Sequence, residues 1–357
     1  WNVVTPGLAS ILSHQAHRFS HRLTEMPFKL ALLGLWHPHA DGMLRQLAAH
    51  PDEFTLQGVW DPDPQVVARH AARWEGVLPG FRVCGSAAEL LRQPLDGVLV
   101  EGRVADNVPT ARAALERGLP VLLEKPAGGN LRDFEALATL ARGRGLHLQL
   151  AYLFRWMVAV QELLRRHRTG RLGQVYLFRG RLPKDLVLYD QLVHELGEFR
   201  GGVFFEMAGH LVDLAITLCG PPRRVTPFLH HHHASGPADY VDNGLAVLEF
   251  AGGLGEIDIT QLEVAPHSRR IEAFGTLGSV VIPHLGSGHL ANQPVQAVEV
   301  HEAGAPEWTT LSPVAQPLQI SDLREFAAVV AGRKAPDFSL DHDLLVQETL
   351  LRASDML

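Results

Sequence analysis

From Lys29 to Tyr152 the chain repeats one grammar: a short apolar run, a longer amphipathic stretch, then another apolar run. The runs KLALLGL, TLQGVW, FRVC, DGVLV, VLLE and HLQLAY are separated by five stretches of helical character at 39–50, 64–75, 86–92, 106–117 and 130–143. Continuous Val/Leu runs mark strands buried on both faces, and helices between them force parallel pairing. The spacing predicts an α/β fold over residues 26–152, a doubly wound parallel sheet of six strands.

Beyond Tyr152 the grammar changes. A helix at 156–167 leads to a strand around 174–182 and a helix at 206–218, after which strands dominate: GLAVLEF, GEIDITQLEV, RRIEAF, SVVIP and VQAVEV. Gly-bearing turns such as Gly252-Gly253 separate them, the pattern of an antiparallel sheet. Residues 153–357 therefore read as a second, α+β domain with a largely antiparallel open sheet. Two terminal helical stretches, 321–331 and 341–354, are expected to pack back on either domain.

Composition narrows the partners. The 32 Lys and Arg residues against 39 Asp and Glu give a net charge of −7, so no overall basic field invites nucleic acid or an anionic membrane. Apolar runs are interrupted before the roughly 18 residues of a spanning helix. Cys84 and Cys219, the only cysteines, lie far apart and read as small apolar residues, which fits the reducing cytoplasm. Residues 1–25 begin at Trp1, carry His14, His17, Arg18, His21 and Arg22, and hold no acid before Glu25. They read as an extension outside the core fold, with Met26 the expected natural start.

Ligands of open parallel sheets bind beyond the carboxyl ends of the strands, which directs attention to Gly34-Leu-Trp-His-Pro-His39. A dinucleotide fingerprint wants Gly at the first, third and sixth positions. Only Gly34 is present; Trp36 and His39 stand at the other two, with His37 between them. Pro38 suits a helix start, whose free amides can take phosphate. Asp61 ends the second strand 22 residues beyond His39, near the roughly 20 expected of a ribose-binding acid. It would repel a 2′-phosphate, so NAD is expected over NADP. An ordinary turn at Gly34 and a helix cap at Asp61-Pro-Asp-Pro are the structural alternatives.

The strand Val121-Leu-Leu ends in Glu124-Lys125-Pro126, which places a lysine at the same sheet edge. A solvated lysine or an ion pair with Glu124 is the alternative reading. Following ALERG, this motif resembles that of the Gfo/Idh/MocA oxidoreductase family, which includes glucose-fructose oxidoreductase and inositol dehydrogenase. Arg155, Gly170-Arg-Leu-Gly173, Asp242-Asn243, Phe274-Gly-Thr-Leu-Gly-Ser279 and the segment Leu340 to Glu348 are similar to further landmarks, so the likeness runs from about Phe28 to Ser354.

The resemblance implies an N-terminal Rossmann domain and a catalytic signature like Asp-x-Gly-x-His, matched here by Glu206-Met-Ala-Gly-His210. At about 100° per residue, Glu206, His210, Asp213 and Thr217 share one helical stripe, which otherwise would be the wet side of the helix. Oxidising a secondary alcohol removes a hydride from carbon and a proton from oxygen, and imidazole suits the proton. His210 is thus expected as the base, Lys125 as the hydrogen-bond donor to the substrate oxygen, and Glu206 as an orienting group. Arg155 could contact substrate or form a salt bridge.

Where the family carries a Thr-Pro-Asn-like loop, this chain has Glu101-Gly-Arg103 leading to Asn107, which adds charge beside the cofactor. The expected activity is NAD(H)-dependent hydride transfer to or from a sugar, polyol or related compound, in a homodimer or homotetramer. The family's NAD-dependent glycosidase branch and a non-catalytic sugar or nucleotide sensor are the alternatives. No metal site is expected, because His194-Glu-Leu-Gly-Glu198 lacks a second histidine and His230 to His233 reads as a solvated loop.

Overall fold

The computed structural model describes residues 26–184, 193–232, 237, 240–285, 296–314 and 318–357. The expectation for residues 1–25, and His233, lie outside the described residues.

The first layer alternates as the sequence predicts. β1 (Phe28–Leu33), α1 (Pro38–Ala49), β2 (Phe54–Trp60), α2 (Pro64–Trp74), the short α3 (Ala87–Leu90), β3 (Gly97–Val100), α4 (Val104–Glu116), β4 (Val121–Leu123), α5 (Leu131–Gly143) and β5 (Leu148–Leu150) follow in order. All pairs are parallel and the sheet order is β2-β1-β3-β4-β5. The sheet has five strands, not six. The run FRVC forms only an isolated bridge, Val59 to Val83, held by the Val59 amide donating to the Arg82 carbonyl and the Cys84 amide to the Val59 carbonyl.

A 3-10 turn (Leu153–Trp156) and α6 (Val158–Arg168) lead into the second layer: β6 (Val175–Pro183), α7 (Val193–Leu196), α8 (Gly202–Cys219) and then β7 (Arg224–His230) to β13. β8 (Asn243–Glu249), β9 (Leu254–Thr260), β10 (Arg270–Gly275), β11 (Gly278–Ile282), β12 (Val298–Glu302) and β13 (Thr309–Leu311) complete an eight-stranded sheet. It is antiparallel except where β6 pairs parallel with β9. Alternation in β6, β8 and β9 buries Ala246, Leu248, Ile257 and Ile259 on the face toward α8 and leaves Arg179 and Arg181 of β6 with Glu256 and Asp258 of β9 on the opposite, open face.

α8 is long and apolar enough on average to cross a membrane, but Glu206, His210 and Asp213 interrupt it as expected, and 89% of it is buried within the protein. It is the core helix of the second layer. Its polar stripe is not a wet side either: Glu206, His210 and Asp213 are all buried.

The terminal helices tie the layers together. α9 (Leu318–Val330) returns to the first layer, where Phe326 lies edge-on to Phe28 at 6.1 Å and fills the space over Gly97. A Cβ on Gly97 would meet that ring at 2.5 Å. Asp322 of α9 accepts from Gln149 Nε2 and Trp156 Nε1, both at 2.8 Å. α10 (Leu340–Ala353) packs on α8, α5 and β7.

Candidate active site

The sheet order reverses between β1 and β3, which is where an open α/β sheet forms its ligand crevice. Residues following three neighbouring strands converge there: Gly34 to His39 after β1, Glu101 after β3, and Glu124 with Lys125 after β4. Gly34 has φ +84°, and a Cβ on it would fall 2.4 Å from the Gly102 nitrogen, so the first two of these loops touch backbone to backbone. Only glycine fits that contact.

Asp61, buried at the end of β2, accepts from the Leu35 amide at 2.7 Å and from the Asp63 amide at 2.8 Å. Each carboxylate oxygen keeps a second acceptor site for a ribose hydroxyl. A cavity of about 180 Å³ is lined by Leu35, Trp36, His37, Asp41, Arg69 and Arg73 among others. The Asp61 carboxylate is thereby fixed against the loop after β1. Further along the same loop the His37 amide donates to the Glu101 carbonyl at 3.0 Å, and the His39 amide to His37 Nδ1 at 3.3 Å. His39 stands where the fingerprint has glycine, and it and the neighbouring His37 project imidazoles toward one another at 4.3 Å between ring centroids.

Those imidazoles meet two carboxyls. His39 Nδ1 is 2.9 Å from Glu124 Oε2, and His37 Nδ1 is 3.8 Å from both Glu101 Oε2 and Glu124 Oε2. Burial and the adjacent Glu124 raise the Glu101 pKa well above the usual carboxyl range. Burial works against the Glu124 carboxylate, but His39, His37 and Lys125 more than offset it and hold its pKa low. Burial lowers the pKa of His37 below the ordinary imidazole value.

Across the crevice stands α8. Lys125 Nζ donates to Glu206 Oε1 at 2.5 Å and to the Glu206 carbonyl at 3.2 Å, and His37 Nε2 lies 3.9 Å from the same carboxylate. Burial disfavours the Lys125 ammonium, yet Glu206 and Glu124 raise its pKa. The same pairing holds Glu206 well below the usual range against the opposing pull of burial. His210 sits one turn further along α8, stacked on Phe154 with ring centroids 4.3 Å apart, and its Nδ1 has no hydrogen-bond partner. Burial, reinforced by Lys125, lowers the pKa of His210 well below 6.5, so the imidazole is neutral.

Lys125, Glu206 and His210 thus converge, together with His37, His39, Glu101 and Glu124. Asp61, Gly34 and Trp36 line the far end of the same loop, and the Arg103 guanidinium lies 5.9 Å from the Trp36 ring. Arg155 is committed elsewhere, donating to both oxygens of Asp213 at 3.0 and 2.7 Å and to Asp343 at 2.6 Å. Its guanidinium also stacks 3.9 Å over the Phe338 ring, and His342 completes the cluster on Asp213.

Sequence reasoning missed Lys184. It follows the last residue of β6 and feels Glu206 and Lys125, and burial together with Arg269 brings its pKa down to about 7. The only signal was a lysine directly after a strand, Leu182-Pro-Lys184.

Comparison with known proteins places this geometry in context. Residues 28–152 match the profile described as an oxidoreductase family with an NAD-binding Rossmann fold, and residues 160–281 match the GFO/IDH/MocA C-terminal domain. The scyllo-inositol 2-dehydrogenase (NAD+) of Bacillus subtilis is 25% identical over 57% of this chain, and the matched stretch covers 59% of that enzyme's length. An inositol 2-dehydrogenase of Streptomyces avermitilis is 28% identical over 73% of each chain. The fold is shared with UDP-N-acetylglucosamine 3-dehydrogenase GnnA from Acidithiobacillus ferrooxidans, with a TM-score of 0.75 and 17% identity over 93% of this chain and 98% of that one.

Proposed function

Because the chain belongs to the Gfo/Idh/MocA oxidoreductase family, we propose that it is an NAD(H)-dependent oxidoreductase acting on a secondary alcohol or ketone of a sugar, polyol or related hydroxylated compound. The observation that carries this reading is the buried Lys125–Glu206 pair, with His210 one turn away, at the carboxyl edge of the sheet.

Asp61 and the Gly34 to His37 segment hold the dinucleotide, and Glu101, Glu124 and His39 flank its inner end. When bound, the nicotinamide supplies the hydride acceptor or donor. Lys125 hydrogen-bonds the substrate oxygen and stabilises the negative charge that develops on it, while Glu206 fixes the direction of the ammonium. His210, neutral and desolvated, takes the hydroxyl proton in the oxidising direction. We assign Arg155 to holding α8 and α10 together rather than to substrate contact, since its donors face Asp213 and Asp343.

A second copy of the chain is the partner we assign to the open face of the eight-stranded sheet, whose alternating Arg179, Arg181, Glu256 and Asp258 are self-complementary in charge. Light scattering on the full chain tests this. The reducing cytoplasm suits the two free cysteines.

The deciding experiment titrates NADH by fluorescence and then screens polyols and sugars for NAD reduction. Saturable NADH binding with turnover on one class of polyol supports the proposal. Binding without turnover on every class turns the reading to a sensor, and sugar release without net NADH formation turns it to a glycosidase.

A further inference from the structure

The loop after β1 carries Trp36 and His39 where the dinucleotide fingerprint has glycine, with His37 between them, and each imidazole faces a buried carboxyl. One nitrogen from each of His37 and His39 and one oxygen from each of Glu101 and Glu124 lie within 4.8 Å of one another. We propose that these four residues form a site for a divalent transition-metal ion, with Zn2+ the ion best matched to two imidazole nitrogens and two carboxylate oxygens.

Three independent features of the site point to a cation. Glu101 is 1% exposed, and its Oε2, the atom turned toward His37 Nδ1, has no hydrogen-bond partner. Glu124 is equally buried, and its Oε1 is likewise without a hydrogen bond, with the Lys125 ammonium 3.9 Å away and committed to Glu206. An ion seated there would give these unpartnered buried carboxyl oxygens a ligand.

The third feature is the orientation of His37. The His39 amide donates to His37 Nδ1 at 3.3 Å, so the ring proton sits on Nε2, and an ion bound at Nδ1 would take over the one lone pair that now accepts from that amide. Nε2 in turn faces Glu206 Oε1 at 3.9 Å. A metal-binding histidine characteristically directs its second nitrogen at a carboxylate, which fixes the tautomer and raises ligand basicity. His37 is arranged in that way, with Nδ1 inward.

The geometry needs modest closure. Ligands about 2.1 Å from a tetrahedral ion stand about 3.4 Å apart. The pairs here measure 2.9 Å for His39 with Glu124 and 3.8 Å for His37 with each carboxyl. Side-chain rotation of His39, which is half-buried, can bring its nitrogen onto the ion. The ion would tie the loops after β1, β3 and β4 together immediately beside Lys125 and Glu206.

The test uses the full chain without a histidine tag, stripped with chelator, re-exposed to Zn2+ or Co2+ and freed of excess by gel filtration. The expected result is about one equivalent of Zn2+ per chain by mass spectrometry of the metal, and visible four-coordinate bands from Co2+. Glu101→Gln and His39→Ala are each expected to weaken Zn2+ binding by about 100-fold or more. The double change His231→Ala with His232→Ala is expected to leave the tight equivalent in place. Circular dichroism reports the folding of each variant, and His39→Ala removes only a half-buried ring should Glu101→Gln not fold.

Retention of no ion above background by the parent, or equal retention by His39→Ala, overturns the proposal; the latter means an adventitious ion only. NADH titration of stripped and loaded protein is read separately. Loss of metal binding with intact NADH binding rejects only the metal site, and metal binding without NADH binding rejects only the oxidoreductase reading.

Discussion

Lys125 and Glu206 stand 81 positions apart in sequence, yet their side chains meet at 2.5 Å with both groups buried. One comes from the edge of a parallel sheet and the other from the core helix of a different layer, so their contact joins the two layers alongside those made by α9 and α10.

Replacing Lys125 with Met is expected to lower turnover by about 100-fold or more while NADH still binds, because the lost interaction forms with the developing oxyanion. It should also destabilise the fold by about 3–5 kcal/mol, since Glu206 is left buried without its cation. Adding Glu206→Gln should restore much of the stability and none of the turnover. Denaturant unfolding and steady-state kinetics on the single and double variants check both halves.

His210 sets a pH dependence whose sign is fixed. Burial and Lys125 depress its folded-state pKa well below 6.5, so the unfolded chain binds a proton that the folded chain refuses. The stability this contributes is fully present above pH 6.5 and is lost as pH falls from there toward the depressed value. Melting curves from pH 8 to 5 should show that decline, flattened in His210→Phe. The acid limb of kcat/KM in the parent should lie below pH 6.5, where the imidazole is still available as a proton acceptor.

Asp213→Ala removes two of the Arg155 hydrogen bonds and the His342 contact together. Loss of one partner from a buried charge cluster costs about 3–5 kcal/mol. Thermal unfolding measures it, and Asp341→Ala, whose partner Arg142 is half-exposed, serves as the near-neutral control.

Gly34→Ala forces an alanine to φ +84° and drives its Cβ into Gly102. A cost of about 1–3 kcal/mol follows from the backbone alone. Displacement of the loop after β1 should weaken NADH binding as well, which fluorescence titration reads directly.

Legibility in the sequence followed burial. Strands covered on both faces, such as β1 and β3, announced themselves as unbroken apolar runs. The missed strands, β7 and β13, are the two edges of the eight-stranded sheet. β7 contains Pro227, which an edge tolerates and which disguises a strand, and β13 is three residues long. FRVC misled in the opposite direction, because β-propensity cannot report that a sheet offers only one bridge. At the site, Lys125, Glu206 and His210 were visible through motif and helical spacing. The meeting of His37 and His39 with Glu101 and Glu124 was not, since side-chain convergence across three loops has no period along the chain.

The return of α9 to the first layer has a consequence for how the chain is made. Phe326 seals the space over Gly97 between the amino-terminal strands, and Asp322 is the acceptor for Gln149 and Trp156. Residues 318–330 are synthesised long after the strands they cover, so the first layer emerges from the ribosome with the groove over Gly97 uncovered and the Gln149 and Trp156 donors unmet. The cover over Gly97 and the acceptor for those donors come only with α9, so the first layer gains its final packing after the strands of the second layer have been made.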